Sequence, residues 1–310
     1  MNARRDLLRE KIGPLPAARA ADRPEVERRL VMDGILFEKW RFAGPRDSVS
    51  AWFLVPADAP QPLPVILAIH PHGRQFELGK SLVAGLAGEP SRAYGLAAAR
   101  AGFAVLAPDL PGFEDRRPPL AERKRSYALQ GETYEKLLAA HALMQGSTLQ
   151  AWILADLAAC IDQLRIEPRV DATRLGAFGQ SFGGQEVVFA MASDERIRAG
   201  VCSCGFSLVQ LLVERQISHN QALYLPGMLP DCDFDTIVPA IAPRPLRVIA
   251  GRDDPIFPVE GVRAVERASR EAWRAAGADV ALSFVYTDAG HDLPPAELAT
   301  ALDWLRGALV

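Results

Sequence analysis

Residues 175–190 read LGAFGQSFGGQEVVFA and place Ser181 in a G-x-S-x-G pentapeptide running from Gly179 to Gly183. An apolar run, RLGAFG, precedes the serine and a helical-looking run, GGQEVVFAMAS, follows it. That strand-turn-helix context is the one in which such a serine stands on a sharp turn as a nucleophile; the competing account is a glycine-rich turn with an incidental helix-capping serine. A serine hydroxyl is a weak nucleophile and needs a base within hydrogen-bond reach, itself oriented by a carboxylate. His291 lies in DAGHDLP just after the last apolar run, and the adjacent acids Asp253 and Asp254 follow the run LRVIAG. Serine, acid and histidine in that order, each at the end of a predicted strand, compose a triad suited to acyl transfer.

The elements that must position these side chains are legible as alternating short apolar and longer amphipathic runs, the pattern of parallel strands joined by helices. FEKWRF (38–43) and SAWFLVP (50–56) alternate like an antiparallel hairpin, whereas 64–70, 103–109, 174–179, 199–205 and 246–251 are nearly continuous apolar runs expected of strands covered on both faces. VALSFVY (280–286) closes the series, and helices are predicted near 90–101, 149–165, 183–193, 259–276 and 296–308. The expected architecture is therefore α/β, with a mostly parallel central sheet of about eight strands and helices on both faces. Residues 1–47 read as an N-terminal extension and 48–310 as the main domain. Two long connections stand out: 110–148 reads as a partly helical excursion and 206–243 as a small cap.

Other residues compete for chemical roles. His70 and His72 in AIHPHGRQ could pair on a metal, but no third ligand cluster accompanies them, so no metal is expected. The preferred reading has His72-Gly73-Arg74 opening a loop toward the nucleophile, where the backbone N–H of Arg74 or of Gln75 joins that of Phe182 as an oxyanion donor. His72, together with Tyr224 and Met228 of the cap, is a substrate-binding candidate. Arg116 and Asp109 read as a structural hydrogen-bonded or ionic pair. The cysteines, at 160, 202, 204 and 232, are too few and too scattered for a disulfide framework and read as buried thiols; the single residue between Cys202 and Cys204 is not a usual metal-ligand spacing.

The composition bounds the rest. With 310 residues, 49% hydrophobic and 24% charged, the chain can bury a large core, and a net charge of −3 without long basic blocks gives no sign of a nucleic-acid or membrane partner. No secretory signal or eighteen-residue apolar run occurs, so a cytoplasmic protein is expected. A small-molecule substrate is the default partner, and a homo-oligomer is left open.

The chain resembles the α/β-hydrolases, and within them the dienelactone hydrolase and acetyl xylan esterase-like branch. The matching pieces are LAIHPHG, the Gly-Lys pair at 79–80, YGLAAARAGFAVLAPDLPGFEDR, GQSFGG, IAPRPLRVIAGRDDPIFP and GHDLP, which together span about residues 48–309. The resemblance implies a carboxylic-ester hydrolase that needs no cofactor, with Ser181 as nucleophile, His291 as base and Asp254 as acid. Asp254 is preferred over Asp253 because Gly251-x-x-Asp254 resembles the acid turn of that fold and Pro255 fixes the backbone after it. This chain departs from dienelactone hydrolases proper in carrying Ser where they carry Cys. A peptidase or C–C bond hydrolase would use the same triad, and a non-catalytic binding protein could share the fold.

Overall fold

The computed structural model describes residues 3–309, which divide into two compact units. The first unit holds 12–172 and 220–225. Its strands are β1 (Glu25–Met32), β2 (Ile35–Ala43), β3 (Ser48–Pro56), β4 (Leu63–Ile69) and β5 (Ala104–Pro108), in the spatial order β1-β2-β3-β5-β4. The pairs β1–β2, β2–β3 and β3–β5 are antiparallel, and β4–β5 is parallel. The long apolar runs LPVILAI and AVLAP are buried almost throughout, as two-sided coverage requires. Helices Tyr94–Arg100, Gly131–Met144 and Leu149–Ile166 complete this unit's main elements.

The second unit holds 3–11, 173–219 and 226–309. Here β6 (Val170–Gln180), which belongs to this unit from Thr173 onward, β7 (Ala199–Ser203), β8 (Leu246–Gly251) and β9 (Leu282–Thr287) pair in parallel in that order. Parallel neighbours bring their C-terminal ends to one edge, which is where a site on such a sheet gathers. The helix Phe182–Ser193 is mostly apolar, and nearly all its residues are buried, Gln185 and Glu186 included. Val259–Ala275 instead shows one buried stripe, Val262, Val265, Ser269 and Trp273, on an otherwise charged surface.

Among the described residues the strands number nine where about eight were expected. The extra one is β1, EVERRLVM, whose residues are mostly exposed. A charged edge strand of this kind guards the sheet against pairing with another chain, and it carries no apolar alternation by which to recognise it. β1 and β2 also fall inside segment 1–47, read above as an extension. Segment 206–243 carries only short helices, Val209–Glu214 and Phe234–Ile237 among them, and its residues 220–225 cluster with the first unit. Among the described residues no helix is long and apolar enough to cross a membrane.

Candidate active site

Ser181 follows the last residue of β6 and directly precedes the helix Phe182–Ser193. Its backbone sits at φ +57°, ψ −122°, a strained conformation for a residue with a side chain. The surroundings enforce it: the Ser181 N–H donates to the Ser203 carbonyl at 2.8 Å, and the Ser181 carbonyl accepts from the Gln185 N–H at 2.9 Å. Glycines make the turn fit. A Cβ on Gly179 would overlap the Gly183 carbonyl, and one on Gly184 would stand 2.9 Å from the Ser203 carbonyl oxygen of β7. The glycine cluster therefore lets helix and strands approach closer than side chains allow.

The histidine beside Ser181 comes from the loop after β9. His291 Nε2 lies 2.8 Å from Ser181 Oγ, and His291 Nδ1 lies 2.8 Å from Asp254 Oδ2. The other carboxylate oxygen, Asp254 Oδ1, accepts the N–H groups of Ile256 and Phe257, each at 2.9 Å. Burial alone would raise this carboxyl, but the hydrogen bond and charge of His291, with those two N–H groups, hold it below the ordinary carboxylate range. Asp254 is buried while Asp253 is exposed, its N–H bonded to the Ala289 carbonyl. At Gly251 a Cβ would overlap the Ala289 and Gly290 carbonyls, so a glycine is what lets the histidine loop lie against the end of β8. The Phe257 ring lies 5.7 Å from the His291 ring and stacks at 4.4 Å on His219, whose Nε2–H donates to the Ile256 carbonyl.

Phe182 is the first residue of its helix and its N–H stands at the positive end of the helix dipole. Arg74 and Gln75 are in the first unit, and both N–H groups close their own turn: Arg74 N–H donates to His72 Nδ1 at 3.1 Å, and Gln75 N–H to the His72 carbonyl at 3.1 Å. His72 Nε2–H in turn donates to Glu135 at 3.2 Å, and the same carboxylate accepts the Gln221 N–H at 3.2 Å. His70 is separately held, Nδ1–H on the Pro71 carbonyl and Nε2 accepting from the Leu110 N–H. Tyr224 is 44% exposed, whereas Met228 is buried in the second unit.

Several partners were not foreseen. Lys80 is wholly buried and its Nζ meets Asp109 at 2.7 Å, Glu114 at 2.7 Å and Asp115 at 2.8 Å. Burial works against its charge, but Asp109 and Glu114 hold the ammonium above its ordinary pKa. The carboxylate of Asp109 thus belongs to Lys80, not to Arg116. Arg116 reaches only the Asp109 carbonyl and forms its ion pairs with Asp156, at 2.7 Å, and Asp47. Glu135 did leave a signal, since it shares a helical face with Leu138 and Ala142 and so puts a carboxylate on an apolar stripe. Cys204, just past β7, was weighed only as a pair with Cys202 and read as a buried thiol, and it is buried.

A family model described as the alpha/beta hydrolase fold matches residues 82–253, more than half the chain. The chain belongs to the α/β-hydrolase family. The matched span includes Ser181 and ends before Asp254 and His291, so the association of those two with Ser181 rests on the geometry above. This α/β-hydrolase is 27% identical over 248 residues to YtaP of Bacillus subtilis (strain 168), which carries a provisional hydrolase name, with 79% of this chain and 78% of that one covered. Among solved structures it resembles a provisionally named acetyl xylan esterase from Bacteroides fragilis NCTC 9343, at TM-score 0.74 and 17% identity, over 98% of this chain and 86% of the other. It also resembles a glucuronoyl esterase from Solibacter usitatus, at TM-score 0.66 and 15% identity, over 96% and 88%. Identities this low speak for the fold alone.

Proposed function

We propose that this α/β-hydrolase is a serine esterase that cleaves a small carboxylic ester through an acyl-enzyme. The observation that carries the reading is the continuous chain Ser181 Oγ, His291, Asp254, with both links at 2.8 Å. His291 Nε2 takes the serine proton as Oγ attacks the ester carbonyl, and then delivers it to the departing alkoxide. The tetrahedral oxyanion is met by the Phe182 N–H and the helix behind it. Water activated by the same histidine releases the acid and restores Ser181. Asp254 keeps Nδ1 protonated and Nε2 free to accept. No cofactor is needed for these steps.

The two ester hydrolases named above support an ester over an amide or a C–C bond. The acetyl xylan esterase, with the branch resemblance in the sequence, supports a short acyl group. The test is kcat/KM over p-nitrophenyl esters from acetate to palmitate, with Ser181→Ala as control. Each methylene that a compact pocket buries is worth about 0.8 kcal/mol, so rates rise over the first few carbons and fall beyond about butyryl once the pocket is full. A maximum at long chains, or a jump in rate above the substrate's micelle concentration, contradicts the small-ester reading.

A further inference from the structure

Three adjacent parallel strands, β7, β8 and β9, each deliver a metal-capable side chain at the C-terminal end: Cys204, Asp254 and His291. One ligand atom from each, the Cys204 Sγ, a carboxylate oxygen and a ring nitrogen, lie within 4.8 Å of one another. Cys204 is held there by the backbone. It stands at φ +44°, its N–H donates to the Ile249 carbonyl at 2.7 Å, and its Sγ lies 3.4 Å from the Asp292 carbonyl, next to the histidine. Thiolate, imidazole and carboxylate make a three-ligand set that suits zinc and leaves a fourth position open. Donors around a tetrahedral zinc stand roughly 3.5 Å apart, so the His291 Nδ1 and Asp254 Oδ2 pair, at 2.8 Å, must open to admit the ion. The Cys-Ser-Cys spacing hides the site, because its partners come from other strands.

We propose that Cys204, Asp254 and His291 form a zinc-binding site, and that occupying it switches the enzyme off. The second half rests on the triad reading given above. Zinc takes Cys204 Sγ as thiolate, and the thiol proton leaves to solvent. It takes the His291 Nδ1 lone pair, and the proton from Nδ1 passes to Nε2. Asp254 exchanges its bond to Nδ1–H for the metal, which remains Zn²⁺ throughout. With Nε2 protonated, the imidazole has no lone pair facing Ser181 and cannot act as base.

Zinc chloride alone, in metal-free buffer, is the probe, with magnesium chloride as the hard-cation control. Zinc is expected to inhibit ester hydrolysis, chelation to restore it, and magnesium to do neither. Relative to its own zinc-free rate, Cys204→Ala should need at least about tenfold more zinc for half-inhibition, and Cys204→Ser serves where the alanine variant folds poorly. Calorimetry on Ser181→Ala should find one zinc per chain, and cadmium should give an ultraviolet thiolate-to-metal band that both Cys204 variants lack. Unchanged zinc sensitivity in the Cys204 variants, or no cadmium band, overturns the site. Calorimetry and the cadmium band need no turnover, so they decide the metal site even if the protein proves not to be an esterase.

Discussion

Asp253 and Asp254 are neighbours with the same side chain and opposite environments. Asp254 is buried and its carboxylate accepts from His291 and two backbone N–H groups, whereas the Asp253 side chain faces solvent. Asp254→Asn should therefore lower kcat/KM by about 10⁴, by misorienting the imidazole, and Asp253→Asn should leave it nearly unchanged. The reverse ranking would move the acid to Asp253. His70 makes a separate claim about stability. Burial pushes its pKa down to about 4, and its two ring nitrogens are engaged as one donor and one acceptor in the neutral form. The folded pKa lies below the unfolded one, so the unfolded chain binds the extra proton first and stability falls as pH drops from about 6.5 to 4, by up to about 3 kcal/mol. Urea titrations across that range should show the loss, and His70→Gln should remove most of that slope; an unchanged slope in the variant would contradict the assignment.

At the scale of elements, the β6-Ser181-helix junction depends on close backbone approach. Gly179→Ala would drive a Cβ into the Gly183 carbonyl, so it should destabilise the fold by more than about 2 kcal/mol and abolish activity. Gly307 is the contrast: it lies in the helix Pro295–Ala308 with nothing within 4 Å of a built Cβ, and Gly307→Ala should stabilise by about 0.5–1 kcal/mol. Thermal or denaturant unfolding of the two variants checks both signs, and equal effects would remove the steric explanation. The junction was readable because its requirements are local: an apolar strand, a serine and glycines within a few residues. The hydrogen bond of Arg116 to Asp109 was readable but its ionic partner was not, because choosing between Asp109 and Asp156 depends on where Lys80 is buried, and no periodicity reveals a lysine enclosed by three carboxylates.

Over the whole molecule, the apolar strands were legible because burial on both faces leaves an unbroken hydrophobic run, as in β4, β5 and β7. β1 escaped because an exposed edge needs no such run. The order Ser, Asp, His was legible because parallel strands bring their ends together, and the same logic shows why Cys204 was weighed only with Cys202 and read as a buried thiol: its neighbours in space are 50 and 87 residues away in sequence. The central claim is that Ser181 is a nucleophile activated by His291. Covalent labelling with a fluorophosphonate, followed by intact mass and peptide mapping, measures it directly. One adduct on Ser181, absent in Ser181→Ala and slowed by about 10³-fold or more in His291→Ala, is the predicted result. No adduct on the folded protein, or an adduct on another residue, would contradict it.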